Sequence, residues 1–201
     1  MKTAQIGYLL RSCTSSFVVG CSVTQLDMPA LGALVRVPLE DRCSVYGLIH
    51  DIHIEDDGLI RQLVTTGDVS REVMRDNRER RIVPVEMAVL AVGFEREGRV
   101  SHLLPPRPPL SLDEVYLCTD DELIRFTGGG KFGYFRHVLR AEDLAVGELL
   151  AAHIRQAGEA HRKKGDGKWM NEAMQELIIL LRDDYPTLMS VLGSLKDSLR
   201  Q

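Results

Sequence analysis

A glycine-rich segment that ends in lysine, Gly128–Lys131, is the first stretch of this sequence whose residue types suggest chemistry. Glycines let backbone N–H groups surround a phosphate, and a lysine can reach its outer oxygens. The spacing of a nucleotide-hydrolysing phosphate loop is not met, because the first glycine of that motif would fall on Arg125 and its Ser or Thr on Phe132. Two alternatives remain: the segment binds an anion without hydrolysis, together with Arg136 and His137, or it is a loop between domains.

Arginines recur at helical spacing in a second charged stretch, at Arg71, Arg75 and Arg78. Guanidinium groups bind phosphates, so these three residues, with Lys131 and Arg136, are the predicted contacts to an anion or to nucleic acid. Acidic residues interleave with the arginines, and acid–base pairs at this spacing are also typical of a solvated helix face. Both interpretations stay open; the acidic residues are Glu72, Asp76 and Glu79.

Residue sets typical of catalytic or metal centres are not found in the sequence. No Ser, His and Asp set accompanies a nucleophile elbow, and the four cysteines include no close pair of the kind that favours a zinc site. The isolated His102, His153 and His161 are expected to be surface or capping residues. We therefore predict a protein that is not an enzyme and that uses no cofactor and no metal.

The first part of the chain consists of short β-rich runs separated by turn residues, with strands predicted at 6–11, 16–22, 33–37, 45–54 and 85–94. Glu97 and Gly98 predict a hairpin turn, and the acidic run at 120–122 is typical of the first turn of a short helix. Such a layout favours a small all-β closed barrel. We expect the barrel to span 1–126, with a helical insertion at about 59–81, and a linker to follow at 127–140.

Helical periodicity replaces the strand pattern after the linker, so 141–201 is predicted to be a C-terminal helical unit and the fold class α+β. A unit of this size is small for a core of its own, so its apolar face is expected to pack on the barrel or on another copy. The predicted oligomer or partner face consists of Met170, Met174, Leu177, Leu181, Leu192 and Leu195.

Composition narrows the class of protein. Apolar residues make up 44% and charged residues 27% of the 201 residues, which is ordinary for a folded domain and excludes a disordered tail or a fibrous repeat. The net charge of −4 argues against a general attraction to nucleic acid or to anionic lipid. No apolar stretch approaches the roughly 20 residues of a membrane span, and the start is not expected to be a signal peptide, so we predict no membrane contact and a cytoplasmic location.

Several motifs of the barrel segment occur in a fixed order. The early strands read IGYLLRSCTSSFVVGC, LGALVRVPL and VYGLIHDI, and a proline strap, LPPRPPL, precedes DEVYLCTDDEL. As an ordered set, over about residues 5–126, these motifs resemble the HAS barrel, the N-terminal β-barrel of HerA-type DNA translocases and ATP synthase subunits. In HerA-type proteins a motor with a phosphate loop follows the barrel, whereas helical segments follow it here. The resemblance therefore implies no catalytic residue for this chain.

The resemblance implies that the barrel is a collar and docking module, because the HerA barrel engages a partner nuclease and the ATP synthase barrels form a crown that holds a ring together. We therefore predict a non-catalytic adaptor or interaction protein that forms homo-oligomers and docks onto a larger protein assembly, one that handles DNA by analogy with HerA. The alternatives are a small barrel that binds nucleic acid and a nucleotide or anion sensor that uses the glycine-rich loop.

Overall fold

The computed structural model describes residues 4–24, 29–54, 65, 82–128 and 132–198. Within them the strands are β1 (Ala4–Ser12), β2 (Ser16–Thr24), β3 (Leu34–Leu39), β4 (Cys43–Ile54), β5 (Ile82–Arg96), β6 (Arg99–Ser101) and β7 (Glu114–Leu117). The helices are α1 (Asp120–Gly128), α2 (Phe135–Leu139), α3 (Val146–Lys163), α4 (Trp169–Leu180) and α5 (Tyr185–Ser198). Except for Thr65, the predicted insertion at 59–81 lies outside the described residues.

Six antiparallel strands close into a barrel, which confirms the predicted fold class of a small closed barrel followed by helices. The strands follow the order β2-β1-β7-β3-β4-β5, and β2 pairs with β5 to complete the circle. This closing pairing is continuous from Ser16 opposite Leu90 to Thr24 opposite Ile82. Strand β6 extends β5 as a hairpin, whose turn places Glu97 and Gly98 at positive φ, as the sequence predicts.

The barrel interior is filled by aliphatic side chains that alternate along the strands. Because successive strand residues point to opposite faces, Val45 and Ile49 of β4 lie inside, while Tyr46 and Leu48 lie outside. At Gly47 a Cβ would overlap the Val89 side chain, so a larger residue does not fit there. The interior cluster includes Leu9, Phe17, Val19, Val35, Val37, Val45, Ile49, Val85, Met87, Val89 and Val115.

A second core lies between the outer face of the barrel and the helices. Leu34, Tyr46, Leu48, Leu90 and Val92 of the barrel belong to one buried cluster with side chains of all five described helices. The span predicted as a linker, 127–140, contains α2 and contributes buried aromatic residues to this cluster. The helical unit therefore packs on the barrel of its own chain; the helical side chains in the cluster include Phe126, Phe135, Val138, Leu150, Ile154, Trp169, Leu177 and Leu195.

Charged groups fix the start of α1 against the barrel wall. Thr119 and Glu122 form a capping box, in which the Glu122 carboxylate accepts from the Thr119 backbone N–H at 2.9 Å. The other carboxylate oxygen lies 2.7 Å from Nε of Arg36 on β3. Burial raises the pKa of Glu122, but the Thr119 donors and the Arg36 guanidinium outweigh it, so the net pKa is lowered. One turn further on, Arg125 pairs with Glu95 of β5 at 3.1 Å.

Candidate functional site

The predicted anion contacts fall in different places. Arg71, Arg75, Arg78 and Lys131 lie outside the described residues. Arg136 lies on α2, where it lines a groove beside the barrel. Of the five predicted contacts, only Arg136 lies within the described residues. It lines a cavity that the sequence did not predict.

The predicted oligomer or partner face is occupied by the chain itself. Leu177, Leu181 and Leu195 are 0%, 5% and 2% exposed, and all three belong to the core between barrel and helices. The remaining members, Met170, Met174 and Leu192, are partly buried, and a Cβ at Gly158 of α3 would overlap the Met170 side chain. Helical periodicity identifies the face that is buried without identifying what buries it, and here that is α3 and its neighbours rather than a second copy.

The same helices also carry large apolar side chains that are exposed. Ile178, Ile179 and Leu180 are consecutive at the end of α4 and are 47%, 59% and 43% exposed. Tyr185 and Met189, at the start of α5, are 68% and 49% exposed. We call these five residues the helical corner. Because isolated exposed apolar residues are common but groups of them are not, this corner is a candidate protein-binding surface.

A second group of exposed apolar side chains lies along β1 and around the end of the proline strap. The backbone there is anchored, because Leu112 N–H donates to the Leu9 carbonyl at 2.8 Å and Leu9 N–H donates to the Asp113 carbonyl at 2.9 Å. The Ser12 hydroxyl also donates to the Pro109 carbonyl at 2.6 Å. We call this group the strap patch: Tyr8, Leu10, Leu110 and Leu112, which are 46% to 76% exposed.

His153 of α3 is fully buried between the barrel and α2. Its Nδ1–H donates to the Gly32 carbonyl at 3.1 Å, and its Nε2 accepts from the Tyr134 hydroxyl at 3.0 Å. Both nitrogens are satisfied in the neutral imidazole, and burial lowers the pKa of His153 to about 4. Gly32 has φ +77 and approaches the α3 backbone closely, so glycine is required at this contact. His153 therefore links α3 to the loop before β3.

His161, at the end of α3, joins a hydroxyl to a carboxylate. Its Nε2 lies 2.8 Å from the Thr127 hydroxyl and its Nδ1 lies 3.1 Å from the Asp166 carboxylate, while the Trp169 ring stacks on it at 4.7 Å. The sequence of contacts from hydroxyl to imidazole to carboxylate resembles that of a hydrolase triad. The Thr127 oxygen, however, is buried and also lies 2.8 Å from the Leu123 carbonyl, so the arrangement links α1, α3 and α4 rather than presenting a nucleophile.

The expectation that His102, His153 and His161 are surface or capping residues is wrong, because they are 9%, 0% and 3% exposed. A signal for two of them is present in the sequence. His153 and His161 occupy the same helical face as the buried Ile154 and Ala157, three to four residues apart along α3. Position on the apolar face predicts burial here better than the residue type does.

In the part of the chain that the structure describes, no three His, Cys, Asp or Glu side chains come together in a way that could hold a metal ion. The described helices include none that is both long and apolar enough to cross a bilayer.

Comparison with known proteins adds no assignment: no protein-family model matches this chain, and no curated protein matches it. The resemblance to the HAS barrel therefore stays a prediction.

Proposed function

We propose that this chain is a cytoplasmic, non-catalytic adaptor: a β-barrel protein that self-associates through its helical corner and docks onto a larger assembly through its barrel. The observation that carries the proposal is the helical corner, five large apolar side chains that contribute nothing to the chain's own core. Removing apolar surface from water is favourable by roughly 25 cal/mol per Å², so covering the exposed part of these side chains favours association.

The charges beside the corner favour a second copy of this chain as its occupant. Arg182 and Asp183 lie between the end of α4 and the start of α5; both are exposed, and within the chain they form an ion pair at 3.2 Å that a second copy could exchange. In a twofold interface the same patch meets itself, so the arginine of one copy can face the aspartate of the other. A patch that carries both signs beside an apolar centre is therefore complementary to itself.

The strap patch supports the second half of the proposal, docking of the barrel. It lies within the segment that resembles the HAS barrel, which binds partner proteins in the families that contain it. Its backbone is fixed to β1 by the hydrogen bonds of Leu112 and Leu9, so its leucines are held in place before a partner arrives. We extend the proposal to an assembly that processes DNA, by analogy with the HerA-type translocases.

Analytical ultracentrifugation of the purified chain tests the self-association. The wild type is expected to increase in mass over about 1–100 μM. A triple variant, Ile178→Ser, Ile179→Ser and Tyr185→Ser, is expected to stay monomeric with an unchanged melting temperature, because all three side chains are exposed. The control is Leu110→Ser with Leu112→Ser, which removes still more exposed apolar residues from the strap patch. A monomeric wild type, or association that only the control abolishes, would contradict the proposed role of the helical corner.

A further inference from the structure

A groove of about 650 Å³ lies between the barrel and α2. The turn between β1 and β2 contributes Ser15 and Ser16 to its lining, and α2 with the residue after it contributes Arg136, His137 and Arg140. Its volume is in the range of sites that hold small organic molecules. Hydroxyl, imidazole and guanidinium groups thus meet around one cavity.

His50 of β4 reaches this groove through an irregularity of the barrel. The pairing of β4 with β5 passes from Ile49 opposite Val89 to Asp51 opposite Ala88, so His50 is an extra residue in β4. A bulge of this kind redirects a side chain and is frequent beside binding sites. The facing turn is held in place as well, because Ala91 N–H of β5 donates to the Ser15 carbonyl at 2.9 Å. Both walls of the groove are therefore fixed by the barrel.

A single backbone oxygen, that of His102, orients two side chains of the groove. The Arg136 guanidinium and Nε2–H of His137 both donate to the His102 carbonyl, the latter at 2.8 Å. One guanidinium N–H group is used in this way, which leaves the others available to a ligand. Among the described residues, no hydrogen bond involves the Arg140 side chain.

The positive charge of the groove is not neutralised by ion pairs. Within the described ranges, neither Arg136 nor Arg140 has a carboxylate within 4.0 Å, and Glu142 is the one acidic residue of the lining. The effect reaches His137: burial lowers its pKa, Arg136 and Arg140 lower it further, and its bond to the His102 carbonyl opposes them. An unpaired cationic cavity favours an anion, and two guanidinium groups match the charge and the fork geometry of a phosphate.

The rest of the lining is apolar. Leu90 and Ala91 of β5, Leu104, and Ala141 with Leu144 beyond α2 form this part of the wall. We propose that the groove binds a small phosphate ester with an apolar or aromatic body, whose phosphate contacts Arg136 and Arg140 and whose body lies against these leucines. This inference goes beyond the adaptor role and does not depend on it.

Calorimetric titration of the full chain with phenyl phosphate tests the inference. The wild type is expected to bind with a dissociation constant of about 1 mM or tighter, and inorganic phosphate about tenfold more weakly because it leaves the leucines uncovered. The variant R140Q is expected to bind phenyl phosphate about tenfold more weakly, and R136Q/R140Q to show no binding. The fluorescence of Trp169, the single tryptophan, shows whether each variant is folded. If R136Q/R140Q does not fold, because Arg136 no longer bonds to the His102 carbonyl, R140Q alone still tests the inference.

A second cavity supplies the matched control. It also contains two arginines, Arg155 and Arg162, but Glu159 and Asp166 balance their charge. The variant R155Q/R162Q is therefore expected to bind phenyl phosphate as the wild type does.

Three results would overturn the inference. The first is no binding by the wild type at about 10 mM phenyl phosphate, far above the expected constant. The second is equal binding by R136Q/R140Q and the wild type. The third is a preference for inorganic phosphate, or for a single-stranded oligonucleotide whose binding depends on the same arginines. Because titration reports the ligand and sedimentation reports self-association, either proposal can fail while the other stands.

Discussion

Acid is expected to destabilise this protein in part through the buried imidazole of His153. Burial lowers the pKa of His153 to about 4 in the folded chain, against 6.5 for an exposed histidine. Because the folded pKa is the lower one, the unfolded chain binds more protons at any pH between the two values. The contribution of neutral His153 to the free energy of unfolding is therefore fully present above pH 6.5. It decreases as the pH falls toward 4 and changes no further below that value.

The magnitude follows from the two pKa values. Their difference corresponds to about 3 kcal/mol when the transition is complete, of which about 2 kcal/mol is lost between about pH 7 and pH 5. The physical cause is the hydrogen-bond arrangement: Nε2 of His153 accepts from Tyr134, and among the described residues no carboxylate pairs with the ring. A protonated ring would be a buried charge without a counter-charge.

Urea unfolding followed by the fluorescence of Trp169 measures this effect. At about pH 7 and pH 5, the wild type is compared with His153→Gln, which stays neutral at both. The variant is expected to be less stable at neutral pH but to lose about 2 kcal/mol less on acidification, since titration of other groups cancels in the difference. His53→Gln, at an exposed position of β4, is the control and is expected to behave as the wild type. An equal acid-induced loss in His153→Gln and the wild type would refute the reasoning.

Two further substitutions test the contacts between barrel and helices. Gly32→Ala is expected to lower the free energy of unfolding by about 2 kcal/mol more than Gly98→Ala, because both glycines have positive φ but only Gly32 approaches α3. Urea denaturation measures the difference, and equal losses in the two variants would contradict the prediction. The double variant Leu177→Asp/Leu181→Asp is expected not to fold, because both side chains are buried, whereas Ile179→Asp, at an exposed position, is expected to keep the melting temperature of the wild type. Circular dichroism measures both, and a folded double variant would show that this face is not part of the core.

Much of the fold could be predicted because local patterns agree with it. Runs of β-forming apolar residues bounded by turn residues locate β4 and β5, and Glu97 with Gly98 predicts the hairpin between β5 and β6. Helical spacing predicts the helical unit at 141–201, in which α3, α4 and α5 lie. These patterns depend on neighbours in the sequence, which is why the sequence alone reveals them. Helix α2 was missed because its five residues are too few to show a period.

The arrangement of the candidate sites depends on contacts between distant segments, and it was not predictable in the same way. Periodicity indicated that Leu177 is buried, but not that α3 covers it, so its face was assigned to a partner. His50 enters the groove because of a shift in strand register, and register is set by the pairing of β4 with β5 rather than by residue type. Arg136 is predicted as a phosphate contact from its charge, while Ser15, Ser16 and His50 come from distant parts of the chain that only folding brings to the same groove.

The shortest strand that closes the barrel, β7, sets the order of events during synthesis. Its four residues, Glu114–Leu117, pair with β1 on one side and with β3 on the other. A nascent chain that has left the ribosome only as far as β6 therefore has two open sheet edges, and open edges are templates for pairing with other chains. Emergence of this one short segment removes both edges at once. Until it appears, both edges can pair with other chains, and the growing polypeptide is prone to aggregate.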